Sequence, residues 1–133
     1  MADRLVVLDA SVGVKWFVPE SGREEALALL KRAAAGDAKL VVPDLFVYEV
    51  LRTVHRKADD VAAREVLGFF ERAGLITVPP IAPVLAETLR QASVLGCDVY
   101  DACAPAIASL LGVPLYSADR RAHAAFPGVT LIG

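Results

Sequence analysis

The feature that most constrains this chain is an alternation. Five short apolar runs, Leu5 to Leu8, Lys39 to Val42, Leu75 to Val78, Pro114 to Ser117 and Val129 to Ile132, are separated by longer stretches with helical period. The runs are rich in Val, Leu and Ile and lack polar alternation, so they read as strands buried on both faces, the pattern of parallel strands covered by helices. No internal repeat, low-complexity segment or linker interrupts the pattern. The expected fold is α/β: a three-layer α/β/α sandwich with a mostly parallel central sheet, one domain over residues 1–133.

The helical stretches carry their own punctuation. Ser21-Gly22-Arg23-Glu24 reads as a capping box that opens the first helix, which continues through Ala26, Leu30 and Ala33 to a stop at Gly36. A second helix is expected after Pro43-Asp44, with Val47, Val50, Leu51 and Val54 at helical spacing. A third begins near Asp59-Asp60 and ends at Gly74, and Pro83 suits the first turn of a fourth that ends at Gly96. The fifth starts near Asp98 and runs towards Leu111, with Pro105 expected either to kink it or to push its start later. A short last helix spans about Ala118 to Phe126. Trp16 and Phe17 are expected to pack the first helix on the sheet, with base stacking by an exposed aromatic as the alternative.

Composition bears on what the chain can partner. Hydrophobic residues make up 56% of the 133, and the mean hydropathy is +0.50, which raises the question of a membrane span. The longest uncharged stretch, Ala102 to Ala118, is broken by Pro105, Ser109, Gly112, Pro114 and Ser117 and falls short of the roughly 20 apolar residues a span needs. No membrane partner is therefore expected. A net charge of −2 excludes the broad basic field of a protein that coats nucleic acid, though not a local basic patch. Met1-Ala2-Asp3-Arg4 leads directly into the first apolar run without the flanks of a signal peptide, so the expected location is cytoplasmic. Cys97 and Cys103 form no CxxC and read as free thiols packed as small core residues.

Ligands of open parallel sheets bind beyond the carboxyl ends of the strands. Asp9, with Ser11 two residues on, follows the first run, and Asp119 follows the fourth. Glu49 interrupts the otherwise apolar run of the second helix, and Asp101 stands in the first turn of the fifth. Each acid also suits a plainer role: Asp9 and Asp119 as caps, Asp101 as a favourable first-turn charge, Glu49 as a partner of Arg52. Together they make four carboxylates from four elements. Carboxylates held close repel one another, and a hard divalent cation such as Mg²⁺ or Mn²⁺ is the natural compensation.

The motifs Leu8-Asp9-Ala10-Ser11-Val12, Pro43-Asp44-Leu45-Phe46-Val47-Tyr48-Glu49-Val50, Tyr100-Asp101-Ala102 and Ser117-Ala118-Asp119-Arg120-Arg121 resemble, in order, those of the PIN domain. Within that family the chain is most similar to VapC-type toxins of bacterial and archaeal toxin–antitoxin pairs. The resemblance implies a Mg²⁺- or Mn²⁺-dependent endoribonuclease whose catalytic and metal-binding residues are Asp9, Glu49, Asp101 and Asp119. Ser11 would support the cluster by a hydrogen bond to a carboxylate or to water, and Asp98 is a possible extra acid better suited to capping. Arg52, Arg120 and Arg121, with Arg56 and Lys57, are candidate phosphate contacts. His55 and His123 read as surface or boundary residues. The implied partners are an RNA substrate, an antitoxin lying across a groove near the acids, and a second copy in a homodimer. Arg52 and Pro105 depart from the family pattern.

Two rivals are weighed from the same residues. A receiver-like signalling module requires an acidic pair after the first strand and a late Lys, yet Asp9 stands alone and no Lys follows Lys57. A PIN-like domain without catalysis, serving only to bind RNA or protein, is opposed by the presence of all four acids.

Overall fold

The computed structural model describes residues 4–133. The N-terminal reading over Met1-Ala2-Asp3 therefore lies outside the described residues. Strands β1 (Leu5–Leu8), β2 (Lys39–Pro43), β3 (Ile76–Val78), β4 (Leu115–Ser117) and β5 (Val129–Leu131) coincide with the five apolar runs. They form one sheet in the order β3-β2-β1-β4-β5, and every neighbouring pair is parallel. Helices α1 (Ala10–Gly13), α2 (Arg23–Ala34), α3 (Asp44–Lys57), α4 (Asp60–Ala73), α5 (Ala82–Leu95), α6 (Val99–Leu111) and α7 (Arg120–His123) make the connections.

Alternate residues of the central strands feed two separate cores. Val6, Leu8, Leu40 and Val42 pack with Leu29 of α2, Phe46 and Val50 of α3 and Val66 of α4. Val7, Val41 and Leu115 pack on the opposite face with Val84 of α5 and with Ala104, Ile107 and Ala108 of α6. Both faces of the sheet are thus apolar and covered, which is why these strands show no polar alternation. Each fully buried Val or Leu contributes about 1.5–3 kcal/mol relative to exposure.

The structure changes several boundaries. The helix expected from Ser21 starts at Arg23 and is capped by Gly22 at φ 83°, with no side-chain cap bond. Ser21 Oγ instead donates to the Gly133 carbonyl at 3.3 Å. A Cβ on Gly22 would stand 2.6 Å from the Gly133 backbone, so close approach as well as conformation requires glycine there. Between β1 and α2 the chain makes two short turns that the sequence does not reveal, α1 and a 3-10 turn over Val14–Trp16. Neither is long enough to show an amphipathic period. Gly13 at their junction admits no side chain, because a Cβ would overlap the Phe46 ring and come within 3.1 Å of Val50. The last helix is also shorter than expected, ending at His123.

Trp16 and Phe17 are not available to bases. Trp16 is buried and donates from Nε1 to the Ala26 carbonyl of α2 at 2.9 Å. Both rings belong to an aromatic cluster with Phe46, Phe69 and Phe70 that joins α3 and α4 to this turn. No single helix is long and apolar enough to cross a membrane; α5 and α6 meet that test only as a pair, and the pair is bent by 111°.

Candidate active site at the carboxyl edge of the sheet

From β1 the strand order runs one way to β2 and β3 and the other way to β4 and β5. The connections leaving β1 and β4 therefore diverge, and the crevice between them is where such sheets receive ligands. Asp9 leaves β1 and caps α1, accepting from Ser11 N at 3.0 Å. Asp119 leaves β4 and caps α7, accepting from Ala122 N at 3.1 Å. The plain capping roles are real for both. They engage one carboxylate oxygen of each residue and leave the other for a ligand.

Glu49 on α3 and Asp101 in the first turn of α6 complete the group. Much of Glu49 is exposed, yet partial desolvation, then the Asp9 and Asp101 charges, push its pKa up to about 7 against a pull from Arg52. Asp101 is also raised, first by burial and then by Asp119, against a pull from His123 and with smaller pushes from Asp9 and Asp98. Asp101 thus links the group electrostatically, feeling Asp9 and Asp119 and acting on Glu49, which also feels Asp9. Asp98 caps α6 through Tyr100 N at 2.8 Å and, with Asp101, Asp119 and Arg121, lines a cleft of about 390 Å³.

Among the described residues, no three His, Cys, Asp or Glu side chains are gathered into a ready-made metal cage. The chemistry of the donors nevertheless fits a hard cation, since all are carboxylate oxygens, and burial together with the neighbouring carboxylates makes the ionised forms of Glu49 and Asp101 costly without one. A raised acid pKa means the folded chain holds its proton more tightly than the unfolded chain does. The Glu49 contribution to stability is therefore full below about 4.5 and lost as pH rises through about 7. In EDTA the melting temperature of the wild type should fall more over that interval than that of Glu49→Gln. Parallel curves would remove Glu49 from the repelling group.

Behind the acids lies a hydrogen-bonded frame. Pro105 sits inside α6 and has no N–H, so the Asp101 carbonyl four residues earlier loses its helical donor. His123 supplies the replacement: its Nε2 lies 2.6 Å from that carbonyl oxygen. A carbonyl only accepts, so Nε2 carries a proton, and in the neutral ring Nδ1 then accepts from the Ser117 hydroxyl at 2.7 Å. Ser117 Oγ in turn accepts from Asp119 N at 3.0 Å. Ser11 Oγ accepts from Ala118 N at 2.9 Å, so its hydroxyl ties α1 to the residue that follows β4 rather than reaching a carboxylate.

Three expectations are corrected here. His123 is fully buried and not a surface residue, because the orphaned carbonyl and Ser117 occupy both its nitrogens. Pro105 does not delay α6, which starts at Val99 and runs through it to Leu111. Cys97 and Cys103 are half-exposed free thiols, not core residues; both border the acids, and burial followed by nearby carboxylates raises both thiol pKa values, that of Cys103 to about 11. A proline in a helix next to a site acid is a signal for a buried donor, and it could have identified His123.

The basic candidates divide. Arg121 lines the acidic cleft, and Arg52 stands close enough to Glu49 to lower its pKa. Arg120 and Arg56 are exposed outside that cleft, while Lys57 pairs with Glu20 at 3.5 Å. His55 is exposed, 3.8 Å from Asp60.

Residues 6–127 match the profile of the PIN domain. The chain belongs to the PIN-domain family. This PIN domain is 30% identical over 130 residues to Ribonuclease VapC3 of Pyrobaculum aerophilum, a match that covers 93% of this chain and 96% of that protein. Its fold is also that of a chain in a toxin–antitoxin complex from Klebsiella pneumoniae, with TM-score 0.71, 16% identity, and coverage of 94% and 95% of the two chains. VapC20 of Mycobacterium tuberculosis, a sarcin-ricin loop cleaving toxin, superposes with TM-score 0.70 and 16% identity, covering 93% of this PIN domain and 98% of that chain.

Proposed function

We propose that this PIN domain is a divalent-metal-dependent endoribonuclease and the toxin of a toxin–antitoxin pair, acting in the cytoplasm. The observation that carries the reading is the convergence of Asp9, Glu49, Asp101 and Asp119, from four separate elements, at the divergence of β1 and β4. Its identity to a protein named as a ribonuclease supports the same reading. The four carboxylates would hold Mg²⁺ or Mn²⁺. Such an ion supplies positive charge at the scissile phosphate and eases deprotonation of the attacking water. Arg121 and Arg52, at two sides of the acids, and Arg120 beyond them would bind flanking phosphates, and Asp98 holds the α6 turn that presents Asp101.

Exposed apolar side chains, among them Val61 and Leu67 on α4 and Leu85, Leu89 and Val94 on α5, support an antitoxin and a second copy as partners. Purified protein incubated with structured RNAs should cut them internally in about millimolar Mn²⁺ or Mg²⁺ and stop in EDTA. A panel left intact under both conditions, or cut equally in EDTA, overturns the proposal.

A further inference from the structure

Of nine aromatic residues, seven are buried or half-buried and belong to the two cores or their margins. The two exceptions are Tyr48 and Tyr100, which are 70% and 68% exposed, more than any other large apolar side chain. Each immediately precedes a site acid, Tyr48 before Glu49 on α3 and Tyr100 before Asp101 on α6. Among the described residues neither side chain has a hydrogen-bond partner or a ring contact. Exposing two whole tyrosine rings forgoes the burial that aromatic side chains ordinarily gain. Nothing in the fold requires them there.

Resting on the ribonuclease reading, we propose that Tyr48 and Tyr100 are the base-stacking residues of the site, each taking one unpaired nucleobase near the scissile phosphate. The neighbouring chemistry favours RNA over a protein. Arg52, one helical turn after Tyr48, and Arg121, in the cleft that Asp101 lines, supply phosphate partners beside the same two acids that the tyrosines precede. An aromatic face beside a guanidinium matches the alternation of base and phosphate along a single strand. Bases locked in a duplex cannot present their faces in this way, so the rings select loops, bulges or ends.

Hairpin RNAs with 2-aminopurine at each loop position in turn test this directly, with Ca²⁺ in place of Mg²⁺ for binding and Mg²⁺ for turnover. Wild-type protein should quench the fluorophore at one or two positions. Tyr48→Ala and Tyr100→Ala should each lose quenching at a different position and weaken Kd and KM about tenfold, leaving kcat within about threefold, while the Phe variants restore binding. Alanine variants that bind and quench like the wild type overturn the proposal. So does loss of binding to a co-expressed antitoxin with RNA affinity unchanged, which would assign the rings to a protein partner. Quenching by a protein that cuts no RNA defeats the ribonuclease reading alone; absence of RNA binding defeats both.

Discussion

Asp101→Asn should lower RNA cleavage at least about 100-fold while leaving the metal-free protein as stable as the wild type or more so. The two effects share one cause. Asp101 feels the Asp119, Asp9 and Asp98 charges in a partly buried setting, so without a cation its ionised form is opposed by its neighbours. Amide replacement removes that repulsion and keeps the shape. It also removes a charged oxygen from the set that would hold the ion. Cleavage assays in Mn²⁺ and melting curves in EDTA at neutral pH read the two effects separately. Cleavage within about threefold of wild type, or a lower melting temperature in EDTA, would remove Asp101 from the role assigned to it.

His123→Ala should cost about 2–3 kcal/mol, a fall of roughly 10 °C in melting temperature for a domain of this size. The substitution deletes a fully buried ring, leaves the Asp101 carbonyl without a donor and leaves the Ser117 hydroxyl without its acceptor. Pro105 is what makes His123 necessary, and this gives the experiment its control. In a Pro105→Ala background, residue 105 regains an N–H that can serve the Asp101 carbonyl. The same His123→Ala change should then cost about 1 kcal/mol less. Equal costs in both backgrounds would mean that the carbonyl is not what the imidazole serves.

The sheet and the four acids were legible in the sequence for a common reason. Strands buried on both faces must be written as unbroken apolar runs, and the residues just beyond the carboxyl ends of Leu5–Leu8 and Leu115–Ser117 must stand at the ligand edge. Glu49 was legible because a carboxylate between Tyr48 and Val50 interrupts an apolar run of sequence. What stayed hidden depends on which distant atoms meet. Ser21 has the chemistry of a helix cap, but the Gly133 carbonyl captures its hydroxyl. That Trp16 and Phe17 pack inside is expected from the sequence, but that Phe69 and Phe70 of α4 are what enclose them is not. The burial of His123 and the exposure of Tyr48 and Tyr100 are likewise tertiary facts with no local signature beyond Pro105.

The position of β1 in the middle of the sheet sets when the four acids can come together. Val7 pairs with Leu115, and the Asp9 N–H donates to the Tyr116 carbonyl, so the first strand finds one of its two neighbours only after nearly all the helices have been made. Closing so long a loop is among the slower steps of folding. On the ribosome, Asp9 and Glu49 emerge early but Asp101, Asp119 and the His123 brace emerge late. A cluster divided in this way cannot be complete until β4 and α7 have emerged and β1 has paired with β4.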